Sequence, residues 1–172
     1  MGSSFRAPCR ALALAFALAL PAAAAERVVV LDAELHDTSG EGIREDQQQR
    51  LRLVTETLRE ALATSGRYEV VDVAPLRERL AAGPSLRSCA TCAPAAAAAL
   101  GAELALLPVV NKVSNLILSI TLVMSESTAL GGGTRAVHSA EIRGNTDESW
   151  LRGLRWLLRN RLLAAAPPEA AR

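Results

Sequence analysis

The chain has 172 residues, 19 Lys and Arg against 18 Asp and Glu, a formal charge of +1, and half of its residues apolar. That balance excludes a polybasic nucleic-acid binder and an acidic disordered tail, and the length suits one domain. Aromatic residues make up only 3%, and Phe5 and Phe16 fall in an expected leader, so no surface for stacking successive bases is left.

Residues 1–25 have the pattern of an export signal. Arg6 and Arg10 give a cationic start, an uninterrupted apolar run extends from Ala11 to Leu20, and Ala23-Ala24-Ala25 supplies small residues before a cleavage point. The run is too short to anchor in a bilayer, which takes about 20 residues. Cys9 precedes it, whereas a lipid-modified cysteine would follow it. The expectation is a soluble periplasmic chain cleaved near Ala25, without a later membrane span, folded as a single domain over 26–165 with a frayed tail at 166–172. A chain of that size buries about two thirds of its unfolded surface and needs no metal or disulfide network to fold.

In chain order, Arg27 to Leu35 (RVVVLDAEL) predicts one strand, with Val28, Val30, Asp32 and Glu34 on one face and Val29, Leu31, Ala33 and Leu35 on the other. His36 to Gln48 predicts an exposed connection. Leu51, Val54, Leu58, Ala61 and Leu62 recur at helical spacing, so a helix is expected over 51–65, with Gly66 as its stop. Tyr68 to Val73 predicts a short strand, and Pro75 opens a brief helix that Gly83-Pro84-Ser85 ends. An Ala-rich helix starting near Pro94 runs to Gly101, and Leu104 to Val110 follows as a buried strand despite Pro108.

Leu116, Leu118, Ile120, Leu122 and Met124 alternate with Asn115, Ile117, Ser119, Thr121 and Val123, which predicts a long strand. A Gly-rich link leads to a further strand at Arg135 to Ile142. The last helix is expected to start at Asn145 or Thr146, with Glu148 at capping-box spacing from Asn145 and an apolar stripe of Leu151, Leu154, Leu158 and Leu162. The resulting class is α/β (α+β): one domain with a mixed sheet of about five strands in the order β-α-β-α-α-β-β-β-α and helices packed on it.

Three groups could carry chemistry. Cys89-Ala90-Thr91-Cys92 reads first as a structural disulfide, with redox exchange favoured by a helix N-terminus, or metal or ligand attachment, as the alternatives. Ala93 stands where a c-type haem site needs His, and no second C-x-x-C completes a zinc site. Alternation places Asp32, Glu34 and His36 together at the carboxyl end of the first strand, a position suited to a small ligand or a divalent cation, or simply to solvent and nearby arginines. Arg152, Arg155 and Arg159 share a helix face that could dock an acidic partner or only face water. His138 reads as a packed or edge histidine. No hydrolase elbow and no phosphate loop occur, so neither a catalytic residue nor a cofactor is expected.

NKVSNLILSITLV (Asn111 to Val123) and EIRGNTDESWLRGLRWLLRN (Glu141 to Asn160), with LDAELHDTS and the C-x-x-C, resemble a family of exported proteobacterial proteins of unknown function. Members are sometimes found in the gene neighbourhood of pyrroloquinoline-quinone-dependent dehydrogenases. The order of elements is also similar to the N-terminal domain of the Tol system's β-propeller protein and to periplasmic domains of curli-secretion and penicillin-binding-protein-activator lipoproteins. The resemblance implies an α/β domain used for protein contacts. The function expected is a non-catalytic periplasmic accessory or adaptor whose partner is a protein, such as a quinoprotein dehydrogenase component. A thiol-redox or electron-transfer auxiliary using Cys89 and Cys92, or a small-ligand or metal-binding module, is the alternative.

Overall fold

The structure, a computed structural model, describes residues 24–42 and 44–164. Apart from Ala24 and Ala25, the expected leader lies outside the described residues, as does the expected frayed tail. The described elements are β1 (Glu26–Val30), β2 (Glu34–Asp37), α1 (Glu45–Thr64), β3 (Tyr68–Val71), α2 (Arg77–Ala82), α3 (Cys92–Ala99), β4 (Leu104–Lys112), β5 (Ile117–Glu126), β6 (Thr134–Arg143) and α4 (Asp147–Leu157). A wider turn over Leu158–Leu162 continues the last helix, and short 3-10 turns occupy Ala74–Leu76, Leu86–Ser88 and Thr128–Leu130. The mixed sheet runs β3-β1-β4-β5-β6, with β2 also on β4, so the expected class holds with six strands. Pairs among β1, β2, β3 and β4 are parallel, while β4-β5-β6 form an antiparallel meander.

The first strand departs from its single continuous reading. Val30 pairs with Leu106 but Glu34 pairs with Val109, so one extra residue sits on the β1–β2 side of a parallel ladder. Such a bulge reverses which face each later residue takes. Val28 and Val30 therefore share a core with Leu35, while Val29 and Leu31 join the opposite one. The bulge is held from α1, where Thr55 Oγ1 accepts the Ala33 N–H at 2.9 Å and Arg59 Nη2 donates to the Val30 carbonyl at 2.9 Å. It also explains Pro108. The carbonyls of Leu106 and Lys112 accept from Leu31 and Thr38, so even-numbered residues of β4 aim their backbone groups at β1 and β2. Pro108 shares that phase and brings no N–H to the gap the bulge leaves.

Two cores result. On one face α1 and α4 cover Val28, Val30, Leu106, Leu118, Ile120 and Leu122 with Leu58, Leu62, Trp150 and Leu154. On the other, Ala93, Ala96 and Ala97 of α3, with Leu76, cover Val29, Ala105, Leu107 and Val109. Burial of each Leu or Val contributes roughly 2 kcal/mol. Strands β5 and β6 contribute no residue to the second core, and apart from the contact of α3 with β5 their outer face carries little helix packing among the described residues. Leu116, expected in the β5 stripe, is 72% exposed because it lies in the link before the strand.

Helix α1 starts earlier than expected, whereas α4 starts at one of its two expected positions with a different capping pair. Helix α1 begins at Glu45, because Gln47 Oε1 accepts the Arg44 N–H at 3.0 Å and Glu45 and Asp46 suit the positive helix end. Helix α4 is capped by Thr146 with Ser149, not Asn145 with Glu148. The buried stripe accordingly starts at Trp150, leaving Leu151 half-buried.

Candidate functional site

The bulge takes the expected Asp32, Glu34 and His36 group apart. Asp32 turns toward α1, where its carboxylate accepts from Arg59 at 2.8 Å. Glu34 lies on the opposite face and accepts from Ser85 Oγ at 2.6 Å, Leu86 N–H at 2.7 Å and Arg87 N–H at 3.1 Å. With both oxygens accepting from the 3-10 turn ahead of α3, Glu34 anchors that turn. His36 Nδ1 lies 3.3 Å from Asn111 Oδ1. Among the described residues no group of three His, Cys, Asp or Glu is placed to hold a metal ion.

Cys89 and Cys92 form a disulfide with a Cα separation of 5.4 Å, closing the turn that leads into α3. Glu34 and the disulfide thus fix neighbouring parts of one connection. Arg152 and Arg155 of α4 and Arg159 of the wider turn that continues it are all exposed, but they border different furrows. Arg152 borders the groove beside β6, while Arg155 and Arg159 border the furrow against α1. His138 stands half-buried on β6, opposite Leu122.

A group that sequence reasoning missed surrounds Lys112, the only lysine in the chain. Its side chain is 0% exposed, and Nζ donates to Glu41 Oε2 at 2.8 Å, Asp37 Oδ2 at 3.1 Å and Ser39 Oγ at 3.1 Å. Burial alone would lower the Lys112 pKa, but the hydrogen bonds and charges of Glu41 and Asp37 outweigh it and hold it above the usual lysine value. Asp37 is held below the ordinary carboxylate range, chiefly by its hydrogen bond from Ser39, and Glu41 by that from Lys112. An ammonium with all three donors used and no lone pair cannot act as a nucleophile or base.

The network continues outward. Asn115 Nδ2 donates to Glu41, Asn145 Nδ2 donates to Asn115 Oδ1 at 2.9 Å, and Asn145 Oδ1 accepts from Trp150 Nε1 at 3.1 Å and Arg50 Nη1 at 3.2 Å. Arg50 also pairs with Asp46 at 2.9 Å and Asp147 at 2.7 Å. The LDAELHDTS, NKVSN and GNTDESW stretches therefore meet in one lock joining β2, β4, the hairpin link, α1 and α4. A solitary lysine among arginines, at the end of a buried strand, was the signal for it.

The outer face of β5 and β6 is different in kind. Ile117 and Val137 are each 56% exposed there. Between them Asn111 Nδ2 donates to Ser119 Oγ at 3.4 Å, and the hydroxyls of Thr121 and Ser139 lie 3.1 Å apart. Such a surface combines apolar area with hydroxyl and amide groups but holds no nucleophile–base pair.

These features define an α+β sheet domain with one end locked by buried charge and one sheet face only partly covered by helix. The chain matches the DUF3280 model, described as protein of unknown function (DUF2380), over residues 26–162, and it belongs to that family. No curated protein is matched. Among solved structures, the chain is similar to the LpoB C-terminal domain from Salmonella enterica, at 19% identity and a TM-score of 0.51, covering 72% of this chain and 86% of that one. It is similar to the Escherichia coli LpoB C-terminal domain at 18% identity and 0.51, covering 72% and 87%, and to the NMR structure of E. coli LpoB at 18% and 0.52, covering 71% and 58%. At such identities the likeness is one of fold. These matches are to LpoB and not to the Tol-system or curli-secretion domains that the element order suggests, and the family description carries no quinoprotein link.

Proposed function

We propose that this protein is an exported, non-catalytic accessory domain that contacts a protein partner through the outer face of β5 and β6. The observation that carries the reading is that face itself: exposed Ile117 and Val137 flank a hydroxyl and amide stripe, while Leu118, Ile120, Leu122 and Met124 pack the other face of β5 into the core. Exposed aliphatic side chains beside satisfied polar groups suit a protein interface better than a ligand pocket. Export rests on the pattern of residues 1–25, and the Cys89–Cys92 bond suits the oxidising compartment such a leader serves. The domain then spans 26–165 and works in the periplasm.

The test is site-specific photocrosslinking of the full chain in its native host, with the probe at Val137 and, as control, at exposed Glu60 on α1. A discrete adduct from Val137 and none from Glu60 is expected. No adduct from Val137, or the same products from both positions, would overturn the proposal. Mass spectrometry of the adduct also decides whether the partner belongs to a quinoprotein dehydrogenase system.

A further inference from the structure

Strand β1 is flanked by β3 and β4, and the chain reaches β3 through α1 on one face of the sheet but reaches β4 through α2 and α3 from the other. The carboxyl end of β1 is therefore the point where the connections diverge, the position at which an open α/β sheet leaves a crevice. A cavity of about 370 Å³ opens there, lined by Asp32 of the bulge, Arg52, Thr55, Glu56 and Arg59 of α1, and Arg77 of α2.

The wall is built rather than incidental. Arg59 is fixed by the Val30 carbonyl and Asp32, and Thr55 is fixed by Ala33 N–H and the Leu51 carbonyl, each contact between 2.8 and 2.9 Å for the shortest donor. Arg52 and Arg77, from opposite layers, form no ion pair among the described residues. Three guanidinium groups face two carboxylates, and one of those carboxylates is already satisfied by Arg59. A planar guanidinium fork matches the paired oxygens of a carboxylate or phosphate.

We propose that this crevice is an oxyanion-binding site, taking a carboxylate or phosphate group between Arg52 and Arg77 against the fixed Arg59. Glu56 on the rim selects ligands that also carry a donor and disfavours those with further negative charge. The site is independent of the β5–β6 face, so either proposal can fail alone.

The test is calorimetry on the purified full chain with inorganic phosphate and, separately, succinate, in buffers matched for ionic strength with chloride. An Arg52→Ala/Arg77→Ala variant is compared with an Arg152→Ala/Arg155→Ala variant, which removes the same charge elsewhere. Saturable heat from at least one anion is expected, weakened about tenfold or more by the first pair and changed less than about twofold by the second. The anion that binds identifies the source chemistry. Absence of saturable heat from both, or equal weakening by the two variants, would overturn the proposal.

Discussion

Replacing Lys112 by Met tests the lock directly. The ammonium is wholly buried, and its removal leaves Asp37, only 6% exposed, without its counter-charge, whereas Glu41 at 45% can turn to water. Breaking a buried pair by deleting one partner costs about 3–5 kcal/mol, and Glu41's access to solvent sets the low end, about 3 kcal/mol. For a chain of this size that corresponds to a fall in Tm of roughly 6–12 °C. The assay is denaturant unfolding followed by the fluorescence of Trp150, whose indole N–H belongs to the same network. Because Asp37 and Glu41 are held below their ordinary values of 3.8 and 4.5, their stabilisation is complete above those values and is lost as pH falls through the depressed ones. Lys112 is held above 10.5, so its contribution is complete below that value and is lost as pH rises through the raised one. The contribution of this network should thus be level between these limits, and the Lys112→Met deficit should shrink as the carboxylates protonate. A variant within about 0.5 kcal/mol of wild type at neutral pH would refute the reasoning.

Leu118→Asp and Leu158→Asp should each cost more than about 3 kcal/mol, since both side chains lie in the α1–α4 core; a well-folded double variant by circular dichroism would contradict the core assignment. Gly153→Ala brings a Cβ to 2.9 Å from Ile142 Cγ1, and the overpacking, about 1–3 kcal/mol, should exceed the roughly 1 kcal/mol of helix propensity gained, so unfolding should shift to lower denaturant. Removing the disulfide with paired Cys→Ser changes should cost about 2 kcal/mol by loop closure, with the partner adduct at Val137 retained; loss of that adduct alone would favour the thiol-redox reading.

The meander was legible in the sequence because β5 buries one face only, and burial of one face writes a period of two into the residues. The β1–β2 bulge was not. It has no Gly or Pro of its own, and its single trace in composition, Pro108, lies on a strand far along the chain and reads there as an anomaly. A one-residue slip was enough to turn Asp32, Glu34 and His36 from one candidate site into an ion pair, an anchor and a strand-face contact. Lys112 was hidden for another reason. Lysines are mostly exposed, and the acceptors that make burial tolerable come from a segment that reads as an exposed connection.

The lock and the outer face bear on each other. Distinctive polar stretches invite a catalytic reading, yet here Asp37, Lys112, Asn115 and Asn145 are tied into one hydrogen-bond network through Glu41. Their effect is to fix the β4–β5 hairpin against α1 and α4 from one side only. A sheet face whose supporting hairpin is fixed before binding is presented to a partner at low ordering cost. If Lys112→Met weakens the Val137 adduct in a protein that is still folded, rigidity of that face is part of the contact.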